Sequence, residues 1–428
     1  MIKQYFKQAW RLLKENPVLS AISIIGTALA ICMIMVMVMS YEVKNAPYPP
    51  ETNRARMLYM QYVSARPKTD TLVMGANAPV AAELLKECFK PLKTPEAVSI
   101  SSAVYEPAGL VTIPGVKKAM HLDKRLTDAE FWQVFNFSFT NGKPYTVEDV
   151  SSGLKKAVIT ESVARRLFES TDVVGKVFRI NHVDYTVCGV VEDVSTLASF
   201  AYAQVWMPYT SQEIYPSSAN ITGRYQAFIL AKSPKDFPAI RRETEQLRQQ
   251  FNDAQTNRMA FYLEQPDEHY KAVHRFAANM PPNMKQITNQ SVITLILLLL
   301  IPAVNLSSMT SSRMQRRMSE LGVQRAFGAT KNNIFSQTLW ESSLQTLLGG
   351  LLGLIFSFIA SYAFKGIIYG NIRNARLLSD VSIPWNTLFN PVIFIYALLF
   401  CFLLNFLSAF IPAWKVSRKD IVESILSK

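Results

Sequence analysis

The 428-residue chain is 49% hydrophobic and only 18% charged, with a formal net charge of +13. So few charges exclude an ordinary soluble surface. The basic excess gathers beside apolar runs, which points to membrane topology and anionic lipid headgroups and away from nucleic acid.

Residues 1–17 open the chain as a helix for the cytoplasmic headgroup region. Ile2, Phe6, Ala9/Trp10 and Leu13 share one face, and Lys3, Lys7, Arg11 and Lys14 share another. Pro17 then turns the chain into Val18–Met39, the first of four uncharged runs. The others are Val292–Met309, Leu344–Phe364 and Val392–Ala413. At 1.5 Å rise per residue, roughly 20 residues cross the ~30 Å hydrocarbon core of a bilayer. Four transmembrane helices are therefore predicted, at 18–40, 290–311, 339–365 and 392–414. The first run exceeds a signal-peptide core, and no small-x-small cleavage site follows before Tyr41.

Lysines and arginines place residues 1–17, 312–338 and 415–428 on the cytoplasmic side, with both termini there. Residues 41–289 then form a large extracytoplasmic domain, and 366–391 a short outer loop. In the large domain, Met57–Val63 and Val98–Tyr105 read as strands flanking a helix from Pro79 to Phe89. The order recurs as strand Tyr225–Ala231, a helix from Pro234 (Ser233 as cap) to Phe251, and strand Met259–Leu263. Two βαβ units around an insertion predict a split α+β fold with a mainly-β subdomain inserted at about 106–205. Within the insertion, Val158–Thr160 is a strand and Glu161–Phe168 a helix, and Val177–Ile180 pairs with Tyr185–Val191 around an Asn181-His182 turn. Cys32 and Cys401 lie in apolar runs as packing residues; Cys88 and Cys188 lie in the outer domain, where a disulfide between them is open.

No GxxxxGK[ST], HExxH, CxxC or GxSxG motif occurs. His269 and His274 are five apart, on different helix faces, and read as two solvated histidines and not as a metal pair. The apolar runs hold almost no ionisable groups, with Glu341 near the cytoplasmic end of its helix, which argues against a proton-coupled transporter.

The cytoplasmic loop has its own local logic. The second span continues out of the membrane to Arg313, Arg316 and Arg317, and residues 320–327 can form a short helix. Gly328 terminates that helix, and Thr330 caps the next one. Pattern alone leaves two readings: a connector whose arginines meet lipid, or a docking element for a soluble cytoplasmic protein.

The sequence ELGVQRAFGAT at 320–330, followed by LWES at 339–342 and GGLLG at 349–353, resembles the signature of FtsX-like and MacB-like ABC transporter permeases. The ending IPAWKVSRKDIVESI at 411–425 is similar to that family's, with Ile421 where proline is usual. In the outer domain, VITESVARRLF at 158–168, VGKVFRI at 174–180 and YTVCGVVED at 185–193 resemble the MacB-type periplasmic core.

The resemblance implies a non-catalytic, four-helix subunit in a bacterial inner membrane. Such permeases work as homodimers or heterodimers and turn ATP hydrolysis elsewhere into motion of the outer domain. ATP and Mg would sit on a separate cytoplasmic ATP-binding subunit, because MacB carries its ATPase fused ahead of the first span and this chain starts just before it. Glu320, Leu321, Gly322, Arg325, Ala326, Phe327, Gly328, Ala329 and Thr330 would dock that subunit. Gly322, Ala326, Gly328 and Ala329 would allow close approach, and Glu320 and Arg325 charge-assisted hydrogen bonds. Gly349, Gly350 and Gly353 would serve helix packing or a dimer seam. Lipid is an implied partner, and a periplasmic adaptor with an outer-membrane channel would suit efflux. Two other readings are an FtsX-like regulator of a cell-wall hydrolase and a membrane receptor without an ATPase.

Overall fold

The computed structural model describes residues 17–69, 75–103, 108–114, 119–212, 220–316 and 326–365, with single positions at 10, 11, 14, 323 and 368 and scattered ones between 391 and 406. Its contacts divide into an α+β unit over residues 44–284 and a helical unit on either side of that stretch.

In the α+β unit, four-to-six-residue strands rich in Val, Ile, Tyr and Phe alternate with short helices. The first strands are β1 (Met57–Met60), β2 (Val63–Pro67) and β3 (Ala76–Ala78), then helix α1 (Ala82–Cys88) and β4 (Ala97–Ser102). β13 (Tyr225–Leu230) runs antiparallel between β1 and β4, which makes β1–α1–β4 a split βαβ unit. All six residues of β13 are buried, as expected of a strand with neighbours on both edges and packing on both faces. α2 (Phe237–Ala254) follows a Ser233 capping box with Pro234 behind the cap, as the sequence predicts, and reaches three residues past Phe251.

Three expectations need correction. Met57–Val63 is two strands, because the chain leaves the main sheet after Met60 and re-enters as β2 in a separate three-stranded sheet with β3 and β14 (Arg258–Phe261). The second βαβ unit is therefore not closed in one sheet. β14 pairs with β2 and not with a neighbour of β13. The insertion is also not a sheet apart. Its strands β7 (Lys124–Thr127) and β12 (Val205–Pro208) extend the main sheet beyond β4, followed by β9 (Lys156–Thr160), β11 (Val183–Val191) and β10 (Val177–Ile180). Glu161–Phe168 is helical as read, and Asn181 and His182 both have positive φ (45° and 71°), the turn that joins β10 to β11.

The join between the two halves of the main sheet rests on side chains. β4 and β7 share a single antiparallel pair, Ser101 with Thr127. Arg125 reinforces it, donating to Ser102 O at 3.1 Å and to Tyr202 O at 3.0 Å. Asp128 accepts from Ser99 Oγ (2.8 Å), Ile100 N–H (2.6 Å) and Phe131 N–H (3.1 Å), with Lys90 Nζ at 2.7 Å. Burial pushes the Asp128 carboxyl up to about 6, with Lys90 pulling against it. A carboxyl raised in the folded state contributes stability that is complete below its ordinary range near 3.8 and is lost as pH rises through about 6. Melting of the purified chain should therefore show stability falling by on the order of 2 kcal/mol between pH 4 and 7 from this group. Asp128→Asn should remove that slope while lowering stability at every pH, since its amide nitrogen would face donors. A slope unchanged in Asp128→Asn would assign it to other groups.

Cys88 and Cys188 are both free thiols, which answers the open disulfide. Cys88 Sγ contacts Leu247 O and Cys188 Sγ contacts Ala157 O, and burial pushes each thiol up to about 12. His269 is not solvated as expected: it is buried, bonded to Tyr59 Oη at 3.1 Å and packed against Phe200. His274 is exposed, with Nδ1 2.7 Å from Tyr270 O.

The helical unit holds α3 (Pro17–Asn45), α4 (Met284–Arg316) and α5 (Lys331–Ala363). Among the described residues, two helices are long and apolar enough to cross a membrane, Ser20–Glu42 and Ser343–Ala363. The run Val292–Met309 lies inside α4. The last run, the tail after it, the loop at 366–391 and most of residues 1–16 lie largely outside the described residues.

Candidate docking site

α5 begins at a cap that its sequence supplies. Thr330 has extended backbone, and its Oγ1 accepts from Asn333 N–H at 3.2 Å, one of the donors that a helix start leaves unmet. Just before it, Phe327 N–H donates to Val323 O at 3.0 Å, which closes a last helical turn. Gly328 follows with φ +93°, the left-handed conformation that ends a helix, and open space where a Cβ would stand. Helix end, glycine and new cap thus occur within residues 326–330, where the sequence placed them.

This geometry puts Phe327 outward. It is 88% exposed, and Val323, one turn earlier, is 45% exposed. Water opposes exposure of an aromatic ring, and covering it contributes about 1.5–3 kcal/mol. A ring standing on a short turn, backed by a glycine and by the small Ala326 and Ala329, suits insertion into an apolar slot on a partner. Sequence reading included Phe327 but assigned the approach to small residues and charges; an apolar residue directly before a terminating glycine was the signal. Glu320, Leu321, Gly322 and Arg325 lie outside the described residues.

The glycines further along α5 have a different partner from the one a dimer seam would need. A Cβ on Gly349 would stand 2.7 Å from Thr27 Cβ and 3.1 Å from Ile24 O. On Gly353 it would stand 2.7 Å from Ala28 O, and on Gly350 2.6 Å from Leu398 Cδ1. Gly349 and Gly353 thus face the chain's own first helix and Gly350 faces Leu398, so all three serve packing within this chain. Thr27, Ala28 and Ile31 complete the contact and were missed, although Ser20, Ser23 and Thr27 at helical spacing mark a buried face in the apolar run.

Among the described residues no group of His, Cys, Asp or Glu could hold a metal ion.

The family model described as MacB-like periplasmic core domain matches residues 20–247, more than half of the chain, and the FtsX-like permease C-terminal model matches 292–421. The ABC transporter permease YknZ of Bacillus subtilis (strain 168) is 22% identical over 87% of this chain and 85% of its own length. MacB of Hahella chejuensis, a macrolide export ATP-binding/permease protein, is 22% identical over 98% of this chain; the chain spans 59% of that relative. The solved extracellular domain of YknZ from Gram-positive bacteria matches at 12% identity and a TM-score of 0.35, over 47% of this chain and 99% of that one. An outer α+β core domain of MacB type, followed by an FtsX-like permease region, makes this chain a member of the MacB- and FtsX-type family of ABC transporter permeases.

Proposed function

We propose that the chain is the non-catalytic membrane subunit of a complex in which a separate ATP-binding subunit docks on the loop before α5. Hydrolysis of ATP, with its Mg, on that subunit moves α5 and, through it, the outer α+β domain, for export or for extraction of a substrate from the periplasmic side. In this reading the chain crosses a bacterial inner membrane four times, with both termini and residues 312–338 inside and residues 41–289 outside. Two permease chains face two ATP-binding subunits, and a periplasmic adaptor takes up the outer movement.

The observation that carries the reading is Phe327, 88% exposed on a turn fixed by Gly328 and the Thr330 cap. An exposed ring at the base of a long apolar helix lets a soluble partner push on that helix without entering the lipid.

The test is affinity capture of the tagged chain from membranes of its native host. A protein with a phosphate-binding GxxxxGK[ST] loop should co-purify. Phe327→Glu should reduce its recovery by about ten-fold or more, and Phe327→Leu should retain it, because truncating or charging a central apolar anchor removes most of an interface's affinity. Equal recovery with Phe327→Glu would refute the docking assignment. Capture of no such protein by the wild type would refute the coupling itself.

A further inference from the structure

The face that α3 and α5 share changes character along its length. Contacts of Gly349 with Thr27, of Gly353 with Ala28 and Ile31, and of Ser361 Oγ with Met39 Sδ (3.5 Å) set the two helices parallel. In that register Gln345 and Thr346 fall level with Ser20 and Ser23, one turn nearer the loop than the glycines. Ser20, Ser23 and Thr27 are all buried, and so is Thr346. Gln345 is 8% exposed and, four residues before Gly349, lies on the same side of α5.

The Nε2 atom of Gln345 is buried and has no hydrogen-bond partner among the described residues. An amide closed off in this way is rare, because it loses water without gaining a replacement. Water can be trapped there, given an amide and hydroxyls within one belt of the seam. Nearer the glycines there is no such room, since even a Cβ would stand 2.7 Å from the facing helix.

We infer that the loop end of the α3–α5 seam is a hydrated site, in which ordered water joins the Gln345 amide to the Ser20–Ser23 belt, and that the Gly349–Gly353 end is dry. Hydration at one end only gives the pair a preferred place to part. Protein–water bonds exchange there at small cost, while the glycine contact acts as the fulcrum.

The experiment is X-ray radiolytic footprinting of the full chain in nanodiscs, in which bound water becomes hydroxyl radical and oxidises adjacent side chains. Leu344 packs with Ile24 and Leu348 beside the belt and is 6% exposed; Ile31 packs at the dry end and is 1% exposed. After correction for intrinsic reactivity, Leu344 should be oxidised about ten-fold faster than Ile31, because its neighbour is structural water. Gln345→Leu should bring the Leu344 rate down to that of Ile31. Similar rates for Leu344 and Ile31 in the wild type would overturn the inference, and so would a Leu344 rate that Gln345→Leu leaves unchanged. Should Gln345→Leu fail to fold, Ser23→Ala takes its place with the same expected loss. None of these outcomes depends on an ATP-binding partner.

Discussion

Arg275→Met is expected to be among the most destabilising single changes in the outer domain, at about 3–5 kcal/mol, because it leaves a buried carboxylate without its main partner. Arg275 and Asp267 are both fully buried. The guanidinium donates to Asp267 through Nε and through Nη2 (3.1 Å to Oδ1). It also donates to three carbonyls, Leu263 at 3.0 Å and Ala277 and Ala278 at 3.3 Å each. Lys271, 3.5 Å from Asp267, is partly exposed and compensates little. Thermal or urea melts of the full chain in detergent measure the loss.

The double variant Arg275→Met with Asp267→Leu separates two causes. If the unpaired charge dominates, the second change restores most of the loss, as apolar replacement of a buried pair commonly does. If it restores nothing, the three carbonyls are the main cost, and Arg275 acts chiefly as a clamp on backbone. The clamp's position matters to coupling. Asp267 and Glu268 form a short strand paired with β1, so the segment leaving the outer domain is tied to the strand that enters it. At the entry, Glu51 and Arg54 form a second buried pair: Arg54 reaches Ala46 O (2.8 Å), and Glu51 accepts from Phe200 and Ala201 N–H. The first and last segments of the domain are therefore both fastened by buried ion pairs within it.

Much of this architecture was legible in local chemistry. The Ser233 cap with Pro234, the Asn181-His182 turn, the Glu161–Phe168 helix and the Gly328–Thr330 punctuation all stand where their residues predict. Each is decided by a few neighbouring residues. The errors concern partners distant in sequence. Whether β14 pairs beside β13 or with β2 depends on the break after Met60, and no local pattern fixes strand order. His269 looks solvated by composition but is buried because Tyr59, 210 residues away, offers it a hydroxyl. At the loop before α5 the terminating glycine was legible in the sequence; the outward Phe327 became visible only once the turn was built. The glycines announced a close helix contact but not whose helix, because small-xxx-small spacing carries no information about chain identity.

That last ambiguity yields the other large expected effect. Gly349→Leu should break the α3–α5 contact, because a Cβ there would stand 2.7 Å from Thr27 Cβ and 2.8 Å from Thr27 Cγ2, distances no packed side chain tolerates. The contact cannot yield easily, since a backbone atom, Ile24 O, also lies 3.1 Å from the added carbon. Overpacking of this kind costs about 1–3 kcal/mol where the core can shift, and more where backbone opposes it. Gly328→Ala is the control: its cost is that of φ +93° alone, about 1 kcal/mol, with open space around the added carbon. The folded fraction recovered from membranes should therefore fall sharply for Gly349→Leu and little for Gly328→Ala. Cross-linking assigns the partner. With Cys32, Cys88, Cys188 and Cys401 replaced by alanine, Ile24→Cys plus Leu344→Cys, at side chains that pack on each other beside the glycines, should form a disulfide within one chain, which migrates as a monomer. A covalent dimer in its place would mean that these glycines meet a second copy, and the helix pair described above would be wrong. A monomeric cross-link would instead assign the partner of α5, which starts at the Thr330 cap, as α3 of the same chain, which runs to Asn45.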